Sequence, residues 1–202
     1  MKSLLLTVTL FVLVAVLQAQ DDLPFLSEEK KLSGVLFVKA TVSDRNLTEL
    51  RPLVVFPNRV SCPEQGTLEI RTTIASEGQC IKVGLRMQRT EEPGQYSSFS
   101  GRMLSHIYEL PVKDHYIIHT EIFLFEKRSE EVDLLGKHLK ENLEAMEEFK
   151  KFIQHKGLLQ ENIIVPEQRE HCVPKHDSVV YVLLEDECAT SFSPKKLSIA
   201  LK

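Results

Sequence analysis

Seven histidines and four cysteines are the side chains of this 202-residue sequence best suited to hold a metal ion or attack a substrate, and their spacing limits what they can do. His115 and His119 stand four residues apart in a β-rich stretch. On a strand that separation is ~13 Å, far beyond what two ligands of one ion at ~2 Å can bridge. Cys62 is followed at once by Pro63-Glu64-Gln65-Gly66, which places its thiol at a strand end beside a turn. No Cys-x-x-Cys, His-Glu-x-x-His, Gly-x-Ser-x-Gly or glycine-rich phosphate loop occurs in the chain. The expectation is therefore no metal site, no catalytic residues, no cofactor and no enzyme.

Strands must position whatever the chain binds. From Ile81 to Gln88, Ile81, Val83, Leu85 and Met87 alternate with Lys82, Gly84, Arg86 and Gln88, giving one apolar and one wet face. Noisier runs of the same kind occur at Val35 to Val42, Leu53 to Ser61, Leu68 to Ile74, Met103 to Leu110 and Tyr116 to Leu124. Pro63 to Gly66, Glu77 to Gly78, Pro93 to Gly94 and Pro111 to Asp114 separate them with turn chemistry. Short strands joined in sequence by tight turns favour an antiparallel meander, as a barrel or a sandwich. The period then changes: Leu143, Met146, Phe149, Phe152 and Ile153 fall at helical spacing, with Asn142 as N-cap, a Glu147–Lys151 pair and Gly157 just past the end. Ile163 to Val165, stopped by Pro166, reads as a short extra strand.

The ends and the charge narrow the class. Lys2, the apolar run Leu4 to Leu17 and Ala19 have the order of a secretory leader, 1–19, with the mature chain starting near Gln20. That run is too short for a permanent membrane span, and nothing later approaches the ~20 apolar residues a span needs. The 183 residues that remain fit one domain, exported and extracellular. Loss of Lys2 leaves 24 basic against 29 acidic residues, and Lys150 and Lys151 sit among glutamates, so nucleic acid is not an expected partner. Four cysteines in an exported chain allow three full pairings. The last segment, 178–202, opens with the β-prone run Val179 to Leu184 and continues with Glu185, Asp186 and Glu187. Either a sheet-edge strand or an unpaired tail with acidic gatekeepers fits it.

Four segments in order carry a family resemblance: Lys31 to Ala40 with Gly34, Thr90 to Tyr96, Val112 to Ile118, and Asn142 to Phe152. Together they resemble the lipocalin family, in its odorant-binding branch and nearest the vomeronasal secretory proteins, from the leader to about Asp177. The resemblance implies an all-β fold: an eight-stranded antiparallel up-and-down barrel over 20–177, with one C-terminal α-helix near 142–156 packed on its outside. It also implies a disulfide between Cys80 and Cys172, leaving Cys62 and Cys188 to pair, stay free or link chains. Two positions depart from the family pattern, since Leu36 stands where a tryptophan is usual and Lys137 where an arginine is usual.

The implied function is a secreted, non-enzymatic carrier of small lipophilic molecules, odorants or pheromones, in nasal or vomeronasal secretions. Inward positions carried over strand by strand are Val38, Ala40, Asn58, Val60, Leu68, Ile70, Thr72, Ile74, Val83, Leu85, Met87, Ser105, Ile107, Ile118 and Thr120. They make a mostly aliphatic cup, with ligands held by burial and not by a charged anchor. The same side chains filling a dry core is the alternative that pattern leaves open. A protein-binding or protease-inhibiting lipocalin, with a protein receptor as partner through the loop Ser43 to Pro52, is the other functional class. The sequon Asn46-Leu47-Thr48, expected to carry a glycan, would crowd that loop. A cavity-thiol isomerase acting through Cys62, as in lipocalin-type prostaglandin D synthase, is the remaining one, and it lacks an electropositive setting in the sequence.

Overall fold

The structure is a computed structural model that describes residues 23–44, 54–76, 78–124, 127–173 and 179–184, the last of these as backbone only. The expected leader, the sequon at Asn46 and Cys188 lie outside the described residues.

A helical turn, α1 (Glu29–Leu32), leads into β1 (Gly34–Ser43), followed by β2 (Val54–Val55), β3 (Asn58–Ser61), β4 (Thr67–Ser76) and β5 (Gln79–Arg89). Then come β6 (Gln95–Ser98), β7 (Met103–Glu109), β8 (His115–Leu124) and β9 (Lys127–Gly136), helix α2 (Leu143–His155), β10 (Glu167–Gln168) and β11 (Val179–Leu184). Strands pair in the order β5-β4-β3-β1-β9-β8-β7-β6, and β6 returns to β5, so eight antiparallel strands close a barrel. Closure removes most of the free polar edge that an open sheet must protect. Short β2 and β10 form a separate parallel pair, so the strand expected over Leu53 to Ser61 is broken at Phe56-Pro57. Ile164 makes only a bridge to Thr41, and the extra strand lies a few residues later than expected, at β10.

Because β6 meets β5 only at Gln88 and Arg89, the first half of β5 keeps an edge to spare. β11 takes it in parallel, from Val179 opposite Cys80 to Leu184 opposite Leu85. Of the two readings of this segment, the structure has the sheet-edge strand. The Cys80–Cys172 disulfide is present, with Cα atoms 5.9 Å apart, at the start of the same strand. Closing a loop of 92 residues stabilises the fold by about 4 to 5 kcal/mol in the chain-entropy treatment.

Helix α2 has both ends satisfied. The Asn142 side chain accepts from the Ala145 N–H at 3.1 Å, while Gly157 at φ +74 lets Leu158 N–H reach Ile153 C=O and its own N–H reach Gln154 C=O. Its inner stripe is Ala145, Phe149, Phe152 and Ile153, packed on Ala40, Val42, Ile117, Val132 and Leu134 of the barrel's outer wall. Two expectations change here. Leu143 is 79% exposed, being in the first turn on the solvent side, and Glu147 pairs with Lys150, and Glu148 with Lys151, at i,i+3.

The floor of the barrel is plugged from the N-terminal side. Leu26 N–H donates to Ile107 C=O and Glu109 N–H to Pro24 C=O, both at 2.8 Å, which lays Leu26 and then Leu32 under the strands. Gly94, at φ +70, lies against Phe25 so closely that a Cβ would sit 2.4 Å from the ring. Leu36 is fully buried in this floor, in the place where a tryptophan was the family expectation. A different cation-aromatic contact stands nearby: the Arg89 guanidinium lies 5.9 Å from the Tyr96 ring and bonds Glu29 at 2.6 Å, stapling α1 to the barrel.

Candidate functional site

Alternation along each strand assigns side chains to the barrel interior or to its outer wall, and two buried clusters show the assignment directly. The inner cluster holds Leu26, Leu32, Leu36, Val60, Leu68, Met87, Tyr96, Ile107, Tyr116, Ile118 and Leu135, with Val38, Cys62, Ile70 and Leu85 against it. The outer cluster is the one under α2.

Of the positions expected inside, Val38, Val60, Leu68, Ile70, Leu85, Met87, Ile107 and Ile118 are in or against the inner cluster. Ser105 and Thr120 face each other across β7 and β8 with their hydroxyls 3.0 Å apart, on the same face as the Ile107–Ile118 pair. Asn58 is paired with Leu36, and Thr72 with Val83 two residues above Ile70 and Leu85, so all three share the inner face. Ile74 continues this face to the rim, where it is 44% exposed.

Ala40 is the exception. A β-bulge between Val38 and Ala40 inserts Lys39 into the β1–β9 ladder and reverses the alternation beyond it. Ala40 and Val42 therefore point out under α2, while Thr41 and Ser43 turn in. Lys39, displaced by the bulge, donates to the Leu139 carbonyl at 2.6 Å on the outside.

The bulge also brings Thr41 opposite Asp133 and Ser43 opposite Glu131. On the other side of β9, Asp133 stands opposite Ile118 and Glu131 opposite Thr120. Directly opposed residues share a face, so both carboxyl groups look into the barrel two and four residues above Leu135. The interior thus has an apolar floor and, above it, a belt of hydroxyl and carboxyl groups on β1, β7, β8 and β9. Burial pushes the Asp133 carboxyl up to about 8, the Glu131 charge adds to the rise, and the Thr41 hydroxyl works against it. This adds two carboxyl groups to the mostly aliphatic cup without a charged anchor expected from sequence.

Neither carboxyl belonged to the expected set, because β9 itself was not foreseen. Its outward residues, Val132 and Leu134, are apolar since α2 covers them, and its inward residues are acidic. The alternation was there to be read in Glu131-Val132-Asp133-Leu134 with inside and outside exchanged. Leu26, Leu32, Tyr96, Tyr116 and Leu135 are further members of the inner cluster outside the expected set; Tyr116 donates to the Lys31 carbonyl at 2.9 Å and closes the floor.

Cys62 follows β3 at the floor end, half-buried, with its Sγ 3.3 Å from the Glu29 carbonyl. Burial raises its pKa, Glu29 raises it further, and Lys30 opposes weakly. The thiol is held protonated, the reverse of what a nucleophile needs.

Known proteins resemble the chain in the same terms. The family model described as lipocalin / cytosolic fatty-acid binding protein family matches residues 33–170. Vomeronasal secretory protein 2 of Mus musculus is 64% identical over 178 residues, which are 88% of this chain and 96% of the relative. Odorant-binding protein 2a of Mus musculus is 39% identical over 181 residues, 86% of this chain and 98% of that one. Major allergen Can f 1 of Canis lupus familiaris is 36% identical over 174 residues, with 86% and 98% covered. Among solved structures, that of the siderocalin Ex-FABP superposes with a TM-score of 0.64 at 18% identity, over 70% of this chain and 97% of that chain, a likeness of fold.

Proposed function

The chain belongs to the lipocalin family, and on that premise we propose that it is an exported, non-enzymatic carrier of odorant- or pheromone-sized molecules in nasal or vomeronasal secretions. The ligand's hydrocarbon part would rest on the floor among Leu68, Met87 and Ile107, and one hydrogen-bonding group would meet the belt at Asp133, Thr120 and Ser105. The observation that carries this reading is the division of the interior into an apolar floor and a polar belt. Such a lining suits an alcohol, ketone or amine with a hydrocarbon tail better than a bare alkane, because a buried hydroxyl or carboxyl gains a partner from it. A protonated Asp133 donates to a ligand oxygen; ionised, it accepts from an ammonium. The protonated Cys62 supports a carrier over a thiol-dependent isomerase.

The test is displacement of an apolar fluorescent reporter from the mature protein. Burying about ten carbons, less the cost of immobilisation, leads to dissociation constants of about 1 µM. Leu85→Arg and Ile107→Arg each put a cation among aliphatic walls and should weaken binding at least about tenfold in whatever fraction folds. Arg86→Ala, on the other face of β5, should bind as the parent does. Absence of saturable displacement by any apolar alcohol, ketone or amine in the parent would overturn the proposal.

A further inference from the structure

On the outer wall, β8 and β9 bring together a second set of groups that a lipophile carrier does not use. His119 and Glu121 are two apart on one face of β8, and Glu130 on β9 is directly opposite Glu121. One ligand atom from each of the three lies within 4.8 Å of the others. His119 is only 6% exposed, under Phe152 of α2 with ring centroids 6.4 Å apart. Its Nε2 is buried without a hydrogen-bond partner and stands 3.7 Å from Glu130 Oε2.

We propose that His119, Glu121 and Glu130 form a binding site for a divalent first-row transition ion, with zinc as its reference occupant. Two donors bound to tetrahedral zinc at ~2.0 to 2.1 Å are ~3.3 Å apart, so the His119–Glu130 spacing needs only a small closure. One imidazole and two carboxylates make a three-ligand set that leaves a position for water. Calcium and magnesium, which take oxygen ligands, do not fit a set centred on a buried imidazole. The Nε2 atom, buried and without a hydrogen-bond partner, is the ring's available donor to an ion. An ion placed between Nε2 and Glu130 Oε2 would engage both atoms.

A cation already sits on the rim of this cluster. The Arg128 guanidinium bridges Glu121 and Glu130, at 2.8 Å to an Oε1 of each, from a side chain that is 53% exposed. It neutralises the two carboxylates without reaching His119, and it is free to swing into solvent when the ion enters. His106, 6.5 Å from the His119 ring, is engaged by Glu92 and Gln95 and is not a fourth ligand.

The experiment is zinc titration by calorimetry and native mass spectrometry at pH 7.5 on mature protein with its free thiols alkylated, so that cysteine binding does not contribute. One zinc per chain is expected, lost at least tenfold in affinity in His119→Gln and in Glu130→Gln. Arg128→Gln should bind zinc several-fold more tightly, because the ion no longer displaces a guanidinium. Cobalt(II) in place of zinc should give the visible absorption of a low-coordinate site, absent in His119→Gln. Circular dichroism identifies any variant that fails to fold, and Glu121→Gln, at the third ligand of the cluster, then replaces it. Parent-like zinc affinity in the folded variants, or weaker binding in Arg128→Gln, would assign any bound zinc to other surface histidines and overturn the site. Reporter displacement from the lumen is read separately, so failure here leaves the carrier function standing.

Discussion

The β8–β9 ribbon has two buried faces, and they use their polar groups in opposite ways. Its inner face carries Ile118, Thr120, Glu131, Asp133 and Leu135 toward the barrel interior, and its outer face carries Ile117, His119, Glu130, Val132 and Leu134 beneath or beside α2. The outer face is apolar under most of the helix, with His119 beneath Phe152 and Glu130 beside it. The inner face is apolar at the floor and acidic halfway up. A closed core has no reason to place two carboxyl groups side by side, since desolvation and mutual repulsion both oppose it. The inner pair at Glu131 and Asp133 therefore supports the proposed ligand-binding role, whereas the outer face is packed under α2 except at the His119 cluster.

The largest expected effect comes from breaking the packed outer face. Phe149 is fully buried at the centre of the helix stripe, and Phe149→Ala should cost about 3 to 5 kcal/mol in denaturant unfolding. Reporter affinity per folded molecule should stay within about twofold, because no inner side chain touches the cavity it leaves. Loss of binding in a protein still folded would mean that the two faces are not independent.

The next effect sharpens the comparison through pH. The Asp133 carboxyl titrates at about 8 in the folded protein against 3.8 for the free group, so the native state holds the extra proton between those values. Stability from this group is therefore complete at acid pH and declines as pH rises from about 4 to about 8. Asp133→Asn should flatten that decline and leave the variant about 1 to 3 kcal/mol more stable than the parent at pH 9. His119 on the outer face has the opposite sign. Its pKa is lowered from 6.5, so it removes stability as pH falls below that value, and His119→Gln should relieve the loss. Unfolding curves from pH 4 to 9 on the two variants separate the faces; a parent-like slope in Asp133→Asn would take the carboxyl out of the lumen.

How far the sequence was legible follows from the same two faces. Strands whose outer face meets water, such as β5 with Lys82, Arg86 and Gln88, alternate as theory asks and were readable together with their inward residues. Helix α2 was readable because its cap, stripe and terminal glycine are local in sequence. β9 was not, because the helix covers its outside and the polar residues point in, so the usual rule of apolar inside gives the wrong sign. Ala40 failed for a local reason, the bulge at Lys39, which no periodicity announces. The histidine pair was tested along one strand, where His115 and His119 are indeed separate. The juxtaposition that matters, His119 with Glu130, is made across strands and appears only with the register.

The smallest effects come from moving a single hydroxyl from one face to the other. Val42 is buried against α2, opposite Val132 and among apolar neighbours, and Val42→Thr places a hydroxyl there at constant volume. With no partner among those neighbours it should cost about 1 to 3 kcal/mol of stability. Thr120→Val is the reverse exchange on the inner face. It removes the hydroxyl bonded to Ser105 at 3.0 Å, but adds a methyl group to the lumen wall, and Ser105 keeps access to whatever solvent or ligand fills the belt. The two contributions oppose each other, so stability should change by less than about 1 kcal/mol. Binding should change in character instead: an apolar reporter held as tightly or more so, and a medium-chain alcohol losing several-fold relative to the ketone of the same length. Equal costs for the two substitutions, with no shift in alcohol preference, would mean that the inner face is packed like the outer one and that the belt does not meet the ligand.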